Sequence, residues 1–383
     1  MELCHDSKYF TETSIKERST KYGFPNNLPI ELFLWDCEIA AQLQNHSKDL
    51  VLKGGAAVQL HLPVEMQRGS IDIDMITKLN ESEIEKILQK VNSKLPEFTF
   101  KKHTPREPIL NIPLVTYFGS RQSLILDRLN DISIKAEFLM EDVAIEHLVK
   151  PEATTFALDT KNIRCYSVPS LIGDKLLTLA GATIGVQKQE DVPKQIYDVS
   201  ALCEVNYLSA HDFKQIFKTI STLIPIEANY RNLDLTIEGA LKDIQTSLEK
   251  RCLLGTTGVD KDIWKNISSF QQFYVNFSQR KNQDEWSEKA WRLDYLSQLV
   301  FSILKGESTQ KQAEKHNSAI YTSNKLAEIK GTKIKKLRTE LLKHAPPDTP
   351  YYKELKGKSL RRIYWQMITS DNIEKVNDSL SLH

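Results

Sequence analysis

Four short runs in the first half of the chain mix apolar with polar residues at a period near two: IDIDMIT (71 to 77), LVTYF (114 to 118), SLILD (123 to 127) and ISIKAEFLM (132 to 140). That period and their β-branched and aromatic content predict strands. Runs at helical spacing lie between them, such as ESEIEKILQKVNSKL (81 to 95). The texture changes near residue 206, after which almost every segment is helical. SAHDFKQIFKTISTLI opens on Ser209 with Asp212 three residues on, the spacing of a capping box. DEWSEKAWRLDYLSQLVFSILKGES repeats Trp291, Tyr295, Leu299 and Ile303 in steps of four and meets Gly306, where a helix is expected to stop. The prolines of APPDTP (345 to 350) then interrupt the last basic region. The pattern predicts an α+β fold: a domain over 1–205 with a mixed sheet, then an all-helical domain over 206–383.

A chain of 383 residues is long enough for two or three domains. No apolar run approaches the roughly 20 residues of a membrane span, and the N-terminus MELCHDSKYF lacks a secretory pattern, so a cytoplasmic protein with no membrane partner is expected. The five cysteines are scattered without a Cys-x-x-Cys pair, which removes a disulfide framework and a zinc site from the expectations. Net charge is +1, but basic residues outnumber acidic ones between Lys325 and Arg362, with Tyr351, Tyr352, Tyr364 and Trp365 nearby. Such a patch suits phosphates and stacked bases, and it equally suits a solvated helical face.

The candidate chemistry centres on KGGAAVQLHLPVEMQRGSIDID (53 to 74). On a strand, Asp72 and Asp74 project to one face with Cα atoms about 6.5 to 7 Å apart. Two carboxylates so placed fit a divalent cation such as Mg²⁺, which takes a few carboxylates, waters and substrate phosphates; they also fit a solvated sheet face. Gly54 and Gly55, between an apolar run and a helix start, permit close backbone approach to a phosphate. Glu137 shares its strand face with Ser133 and Lys135 and is either a third ligand or a rim carboxylate. Lys175 and Asp198 sit within the apolar patterns of two successive helices, as a phosphate-facing pair or an ordinary interhelix ion pair. No Gly-x-Ser-x-Gly elbow, Walker loop, dinucleotide fingerprint or His-x-x-x-His spacing is present.

In combination these residues resemble the polymerase-β type of nucleotidyltransferase, and within it the AbiEii/AbiGii toxin family of bacterial type IV toxin–antitoxin and abortive-infection systems. The resemblance rests on Leu52-Lys53-Gly54-Gly55, on Arg68-Gly69-Ser70-Ile71-Asp72-Ile73-Asp74, on Lys175 after a proline-containing turn, and on Lys194-Gln195-Ile196-Tyr197-Asp198-Val199. Two positions depart from the family pattern: Gln195 stands where an acid is usual, and Ala56 where threonine commonly follows the glycines. The resemblance covers roughly residues 30 to 205. It implies transfer of a nucleoside monophosphate from an NTP to an acceptor, foremost the 3′ end of tRNA, by a toxin that a cognate antitoxin neutralises. It also implies roles: Asp72 and Asp74, with Glu137, as Mg²⁺ ligands; Lys53, Gly54, Gly55, Arg68, Ser70 and Lys194 at the nucleotide; Lys175 and Asp198 in catalysis. A small-molecule acceptor of the aminoglycoside type, a protein hydroxyl acceptor, and a nucleotide-binding module whose chemistry has lapsed are the alternatives.

Overall fold

In the computed structural model, residues 1–104, 112–125, 130–257, 259–345 and 352–380 are described. The chain forms two compact units, Met1–Leu171 with Ser269–Arg280, and Ile172–Ser268 with Lys281–His383.

The first unit opens with helices α1 (Glu12–Tyr22) and α2 (Leu28–His46), followed by β1 (Val51–Lys53), the short α3 (Gly54–Gln59), β2 (Asp72–Thr77) and α4 (Glu81–Lys94). Five further strands follow: β3 (Thr99–Lys102), β4 (Leu114–Gln122), β5 (Asp131–Met140), β6 (His147–Thr154) and β7 (Asp159–Tyr166). They build one mixed sheet in the order β3-β4-β5-β2-β1-β7-β6. The β2–β5 and β1–β7 pairs are parallel, and the β1–β2, β3–β4, β4–β5 and β6–β7 pairs are antiparallel. The expected alternation is real in β2, where Ile73 and Met75 are buried while Asp72 and Asp74 are half-buried. Helix α2 is buried along nearly its whole length and brings Phe33 and Trp35 into the core, where they meet Phe156 and Phe98. The Asn80 side chain accepts from the Glu83 backbone while Glu83 returns a bond to the Asn80 amide, a capping box that fixes the start of α4.

One expected strand does not appear among the described residues. Residues 123 to 125 form no ladder, because the buried Glu31 carboxylate takes the Ser123 hydroxyl at 2.7 Å and the Leu124 amide at 2.6 Å. Residues 126 and 127 of that run lie outside the described residues.

From Val168 onward the described elements are helical: α5 (Val168–Leu177), α6 (Val192–Val205), α7 (Ala210–Tyr230), α8 (Ile237–Cys252), α9 (Lys261–Tyr274), α10 (Gln283–Leu304), α11 (Thr309–Glu328), α12 (Lys333–Leu342), α13 (Tyr352–Leu355), α14 (Leu360–Met367) and α15 (Ile373–Leu380). The Ser209–Asp212 capping box forms, and Gly306 takes φ +94° just beyond α10. Most of the interruption expected at APPDTP lies outside the described residues. The second unit packs around α10, whose Trp286, Leu293, Leu296 and Leu299 are buried against α8, α6 and α14. Tyr364 and Trp365, near the run left open between a base-stacking surface and a solvated helical face, are fully buried core residues; Trp365 donates to the Ser323 hydroxyl at 2.9 Å. They cannot stack on a base without unfolding α14. The Tyr351 position and the Tyr352 side chain lie outside the described residues.

Candidate active site

Strand pairing assembles the site in the first unit. The antiparallel register sets Lys53 opposite Asp74, the parallel register sets Asp74 beside Glu137 and Asp72 beside Lys135, and β4 adds Thr116 beside Glu137. Residues paired in register share a sheet face, so Lys53, Asp74, Glu137 and Thr116 form one row across four strands. The row has its own internal bonding. Glu137 accepts from the Lys135 ammonium at 2.7 Å and from the Thr116 hydroxyl at 3.2 Å. Burial pulls the Lys135 ammonium down, but the Glu137 hydrogen bond and the charges of Glu137, Asp72 and Asp74 outweigh it, and its pKa ends raised. The carboxylates therefore create a field that already favours a cation.

Gly54 meets Asp74 at the mouth of this row. Its φ is +68°, a left-handed value that L side chains rarely adopt, and a Cβ there would lie 2.0 Å from Asp74 Oδ2. Both conditions demand glycine. A Cβ on Gly55 would fall 2.9 Å from an Arg68 guanidinium nitrogen and 3.0 Å from Ser70 Oγ, so the bare backbone leaves room for those two side chains.

The loop carrying Arg68, Gly69 and Ser70 is pinned rather than mobile. Gln67, fully buried, donates from Nε2 to the carbonyls of Gln59, Leu62 and Thr154, and accepts from the Phe156 amide. Gln59 donates to the Gly55 carbonyl and accepts from the Arg68 amide at 2.9 Å. Arg68 donates to the Gly69 carbonyl at 2.6 Å, and its guanidinium lies 5.9 Å from the Phe270 ring. The Gly69 amide donates to the Tyr274 carbonyl at 2.8 Å. Arg68 and Ser70 are both buried, so the loop presents them from within a packed frame. Removing the Gln67 amide strands several buried partners, each worth about 1–3 kcal/mol when unsatisfied. Gln67→Leu is expected to lower the stability of the protein in urea by at least that amount, which equilibrium unfolding will measure.

A residue the sequence did not single out lies behind this face. Asp36 on α2 is 1% exposed, and neither carboxylate oxygen has a hydrogen-bond partner among the described residues. Burial first, then the charges of Asp72 and Asp74, push its pKa well above the usual carboxylate value. The direction of the shift favours the neutral form, in which Asp36 adds no third negative charge beside the pair. Because the folded pKa is raised, the associated stability is fully present below the unfolded value of about 3.9 and is lost as pH rises through the folded value. Asp36→Asn should therefore become progressively more stable than wild type as pH rises through that window. A series of urea melts at several pH values checks it; a constant difference would contradict the assignment.

In the second unit, the Lys175 ammonium pairs with Asp198 Oδ2 at 2.9 Å and donates to Gln195 Oε1 at 3.0 Å, with all three residues buried. Gln195, the departure from the family pattern, thus keeps an acceptor for Lys175 without adding a charge. Lys194 is half-buried and pairs with Asp191 at 2.9 Å one turn earlier.

Among the described residues, no group of three or more His, Cys, Asp or Glu side chains is disposed to hold a metal ion. Asp72 and Asp74 are both half-buried carboxylates on one face, hard oxygen donors that suit Mg²⁺ when substrate phosphates complete the shell.

Residues 39–276 match the model of the nucleotidyl transferase AbiEii toxin family of type IV toxin–antitoxin systems. The chain belongs to that family. It is a nucleotidyltransferase-family protein, as the glycine pair and the two aspartates imply. No curated protein matches. Among solved structures the chain is similar to JHP933 from Helicobacter pylori (13% identity, 79% of this chain and 95% of that one, TM-score 0.38). It is also similar to a structure described as a putative nucleotidyltransferase from H. pylori (15% identity, 70% and 93%, TM-score 0.34). A third similar structure is the nucleotidyltransferase toxin MenT4 from Mycobacterium tuberculosis (10% identity, 77% and 99%, TM-score 0.41). These distant likenesses add nothing to the family match. Among the described residues no helix is long and apolar enough to cross a membrane.

Proposed function

We propose that this AbiEii-family chain transfers a nucleoside monophosphate from an NTP to the 3′ end of an RNA, tRNA foremost, in the cytoplasm, and that a cognate antitoxin restrains it. The observation that supports the reading is the close approach of Gly54 to Asp74, a glycine whose positive φ and lack of a Cβ leave room for that carboxylate, on a strand that carries Asp72 on the same face. The acceptor hydroxyl attacks the α-phosphorus, a new P–O bond forms, the bond to the β-phosphate oxygen breaks, pyrophosphate leaves, and the hydroxyl proton passes to solvent. Mg²⁺, when bound, neutralises triphosphate charge and acidifies the attacking hydroxyl. Asp72 and Asp74 would hold such an ion, with Glu137 at the edge of the set, and Lys135, bonded to Glu137 at 2.7 Å, is the cation that faces these carboxylates without it. The backbone at Gly54 and Gly55 and the Ser70 hydroxyl receive the phosphates, while Arg68 and Lys53 shape that wall. Lys175 keeps the charge-stabilising role that the family motif implies, positioned by Asp198 and Gln195, with Lys194 on the same helix.

Purified protein incubated with Mg²⁺, each labelled NTP in turn and total RNA, a protein mixture or an aminoglycoside tests the acceptor. Label on tRNA-sized species is expected. Label only on protein or drug would replace the RNA acceptor, and label nowhere would end the reading.

A further inference from the structure

We propose that a charged cleft within the helical unit is a phosphate-binding site, taking the backbone phosphate of an RNA chain or the phosphate of a free nucleotide. The cleft encloses about 420 Å³, within the range of small-ligand pockets. Five cationic side chains reach it, Lys281, Lys289, Arg292, Arg338 and Arg361, against three carboxylates, Glu204, Glu285 and Glu288.

The carboxylates are already committed. Glu204 and Glu288 each lie 3.1 Å from Arg292, Arg361 lies 2.7 Å from Glu288, and Glu285 faces Lys281 at 3.6 Å. Two cations are only weakly matched: Lys289, whose ammonium also lies 5.5 Å from the Tyr197 ring, and Arg338. The Lys289 ammonium, in a residue only 9% exposed, has its nearest carboxylate oxygen 4.0 Å away on Glu204 and a poor 3.4 Å contact to the Ser200 hydroxyl. Burial pulls its pKa down to about 8, against the partial support of Glu204. Arg338 forms no ion pair among the described residues. One of its terminal nitrogens donates to the Lys358 carbonyl at 3.2 Å, and its buried Nε has no partner. The buried Nε of Arg292 is unpartnered as well.

A buried ammonium and a half-buried guanidinium short of counter-charge are costly, and an oxyanion with several acceptor atoms offsets that cost. Leu326, Ile329, Ile334 and Leu360 form an apolar wall beside the charges, which suits the sugar and base of a nucleotide unit rather than a bare inorganic ion. The cations come from α10, α12 and α14 and from the segment just before α10. Folding thus gathers charge that is dispersed along the sequence, and only part of it belongs to the basic run from 325 to 362.

The RNA arm of this proposal rests on the acceptor reading above; the nucleotide arm does not. Full-length wild type, Lys289→Met and Arg338→Ala are titrated with a fluorescent single-stranded RNA and with AMP across a salt series, after thermal melts confirm that each variant is folded. For an RNA site, each variant should bind RNA about tenfold more weakly and lose about 0.7 from the log–log salt slope, the value for one phosphate contact on a single strand. If RNA binding is absent but AMP binding weakens in the variants, the phosphate site stands as a nucleotide site and its RNA arm fails; RNA labelling by wild type decides the acceptor reading separately. Equal affinity and equal slope in all three proteins, or no binding of either probe by wild type, overturns the site; RNA labelling by wild type would then leave the acceptor reading intact.

Discussion

Asp72→Ala and Asp74→Ala should each lower nucleotide transfer by on the order of 10³-fold while leaving the protein folded. Charge stabilisation by a bound divalent cation supplies several kcal/mol at the transition state, and about 1.4 kcal/mol corresponds to each tenfold step in rate. Both side chains are half-buried on the polar face of β2, so truncation leaves Ile73, Met75 and the core beneath them intact. The two variants should differ in one respect. Asp74 lies against Gly54 and beside Lys53 and Glu137, so its loss also releases contacts at the glycine turn, whereas Asp72 is paired in register with Lys135. Gly54→Ala should mimic Asp74→Ala in activity, since its Cβ would displace the same carboxylate. Single-turnover rates at saturating NTP, with circular dichroism as the folding control, check all three.

The second large effect is on stability. Asp198→Ala leaves the Lys175 ammonium buried with only Gln195 as acceptor among its described contacts. Breaking a buried ion pair by removing one partner costs about 3–5 kcal/mol. The double variant Lys175→Met with Asp198→Leu should recover most of that loss, because apolar replacement of a whole buried pair is often neutral or stabilising. This pair of measurements separates fold from chemistry. A double variant that is stable yet inactive assigns the pair to catalysis, and one that is stable and active makes it an ordinary structural ion pair. Urea unfolding in which Asp198→Ala matches wild type would contradict the burial argument.

The strand carrying the aspartates was legible because alternation is a local signal, and so were the starts of α4 and α7, because a capping box is written within four residues. Glu31 was not legible as the group that ends β4's neighbourhood: its partners Ser123 and Leu124 lie 92 and 93 residues away. Asp36 was hidden for a different reason. Helix α2 is buried along most of its length, so no polar face marks which of its acids points at the site. Gln59 and Gln67 look like ordinary loop and helix polar residues until their bonds to Gly55, Arg68 and Thr154 are seen. The return of residues 269–280 to the first unit, where Val275 bridges Arg68, has no sequence signal, since it depends on pairing between segments 207 residues apart. Trp365 and Tyr364 show the converse: aromatic residues among cations suit a stacking surface or a helical face alike in the sequence, and only packing decides whether such rings face solvent or core.

We propose that the face bearing Asp72 and Asp74 catalyses attack at the α-phosphorus of an NTP. Parallel incubations of the protein, Mg²⁺ and RNA with α-labelled and γ-labelled NTP test it most directly. Label from the α position should appear on RNA while γ label appears only in pyrophosphate, and both signals should vanish with Asp72→Ala. Transfer of the γ label to the acceptor, or α-label transfer undiminished by Asp72→Ala, would contradict the account.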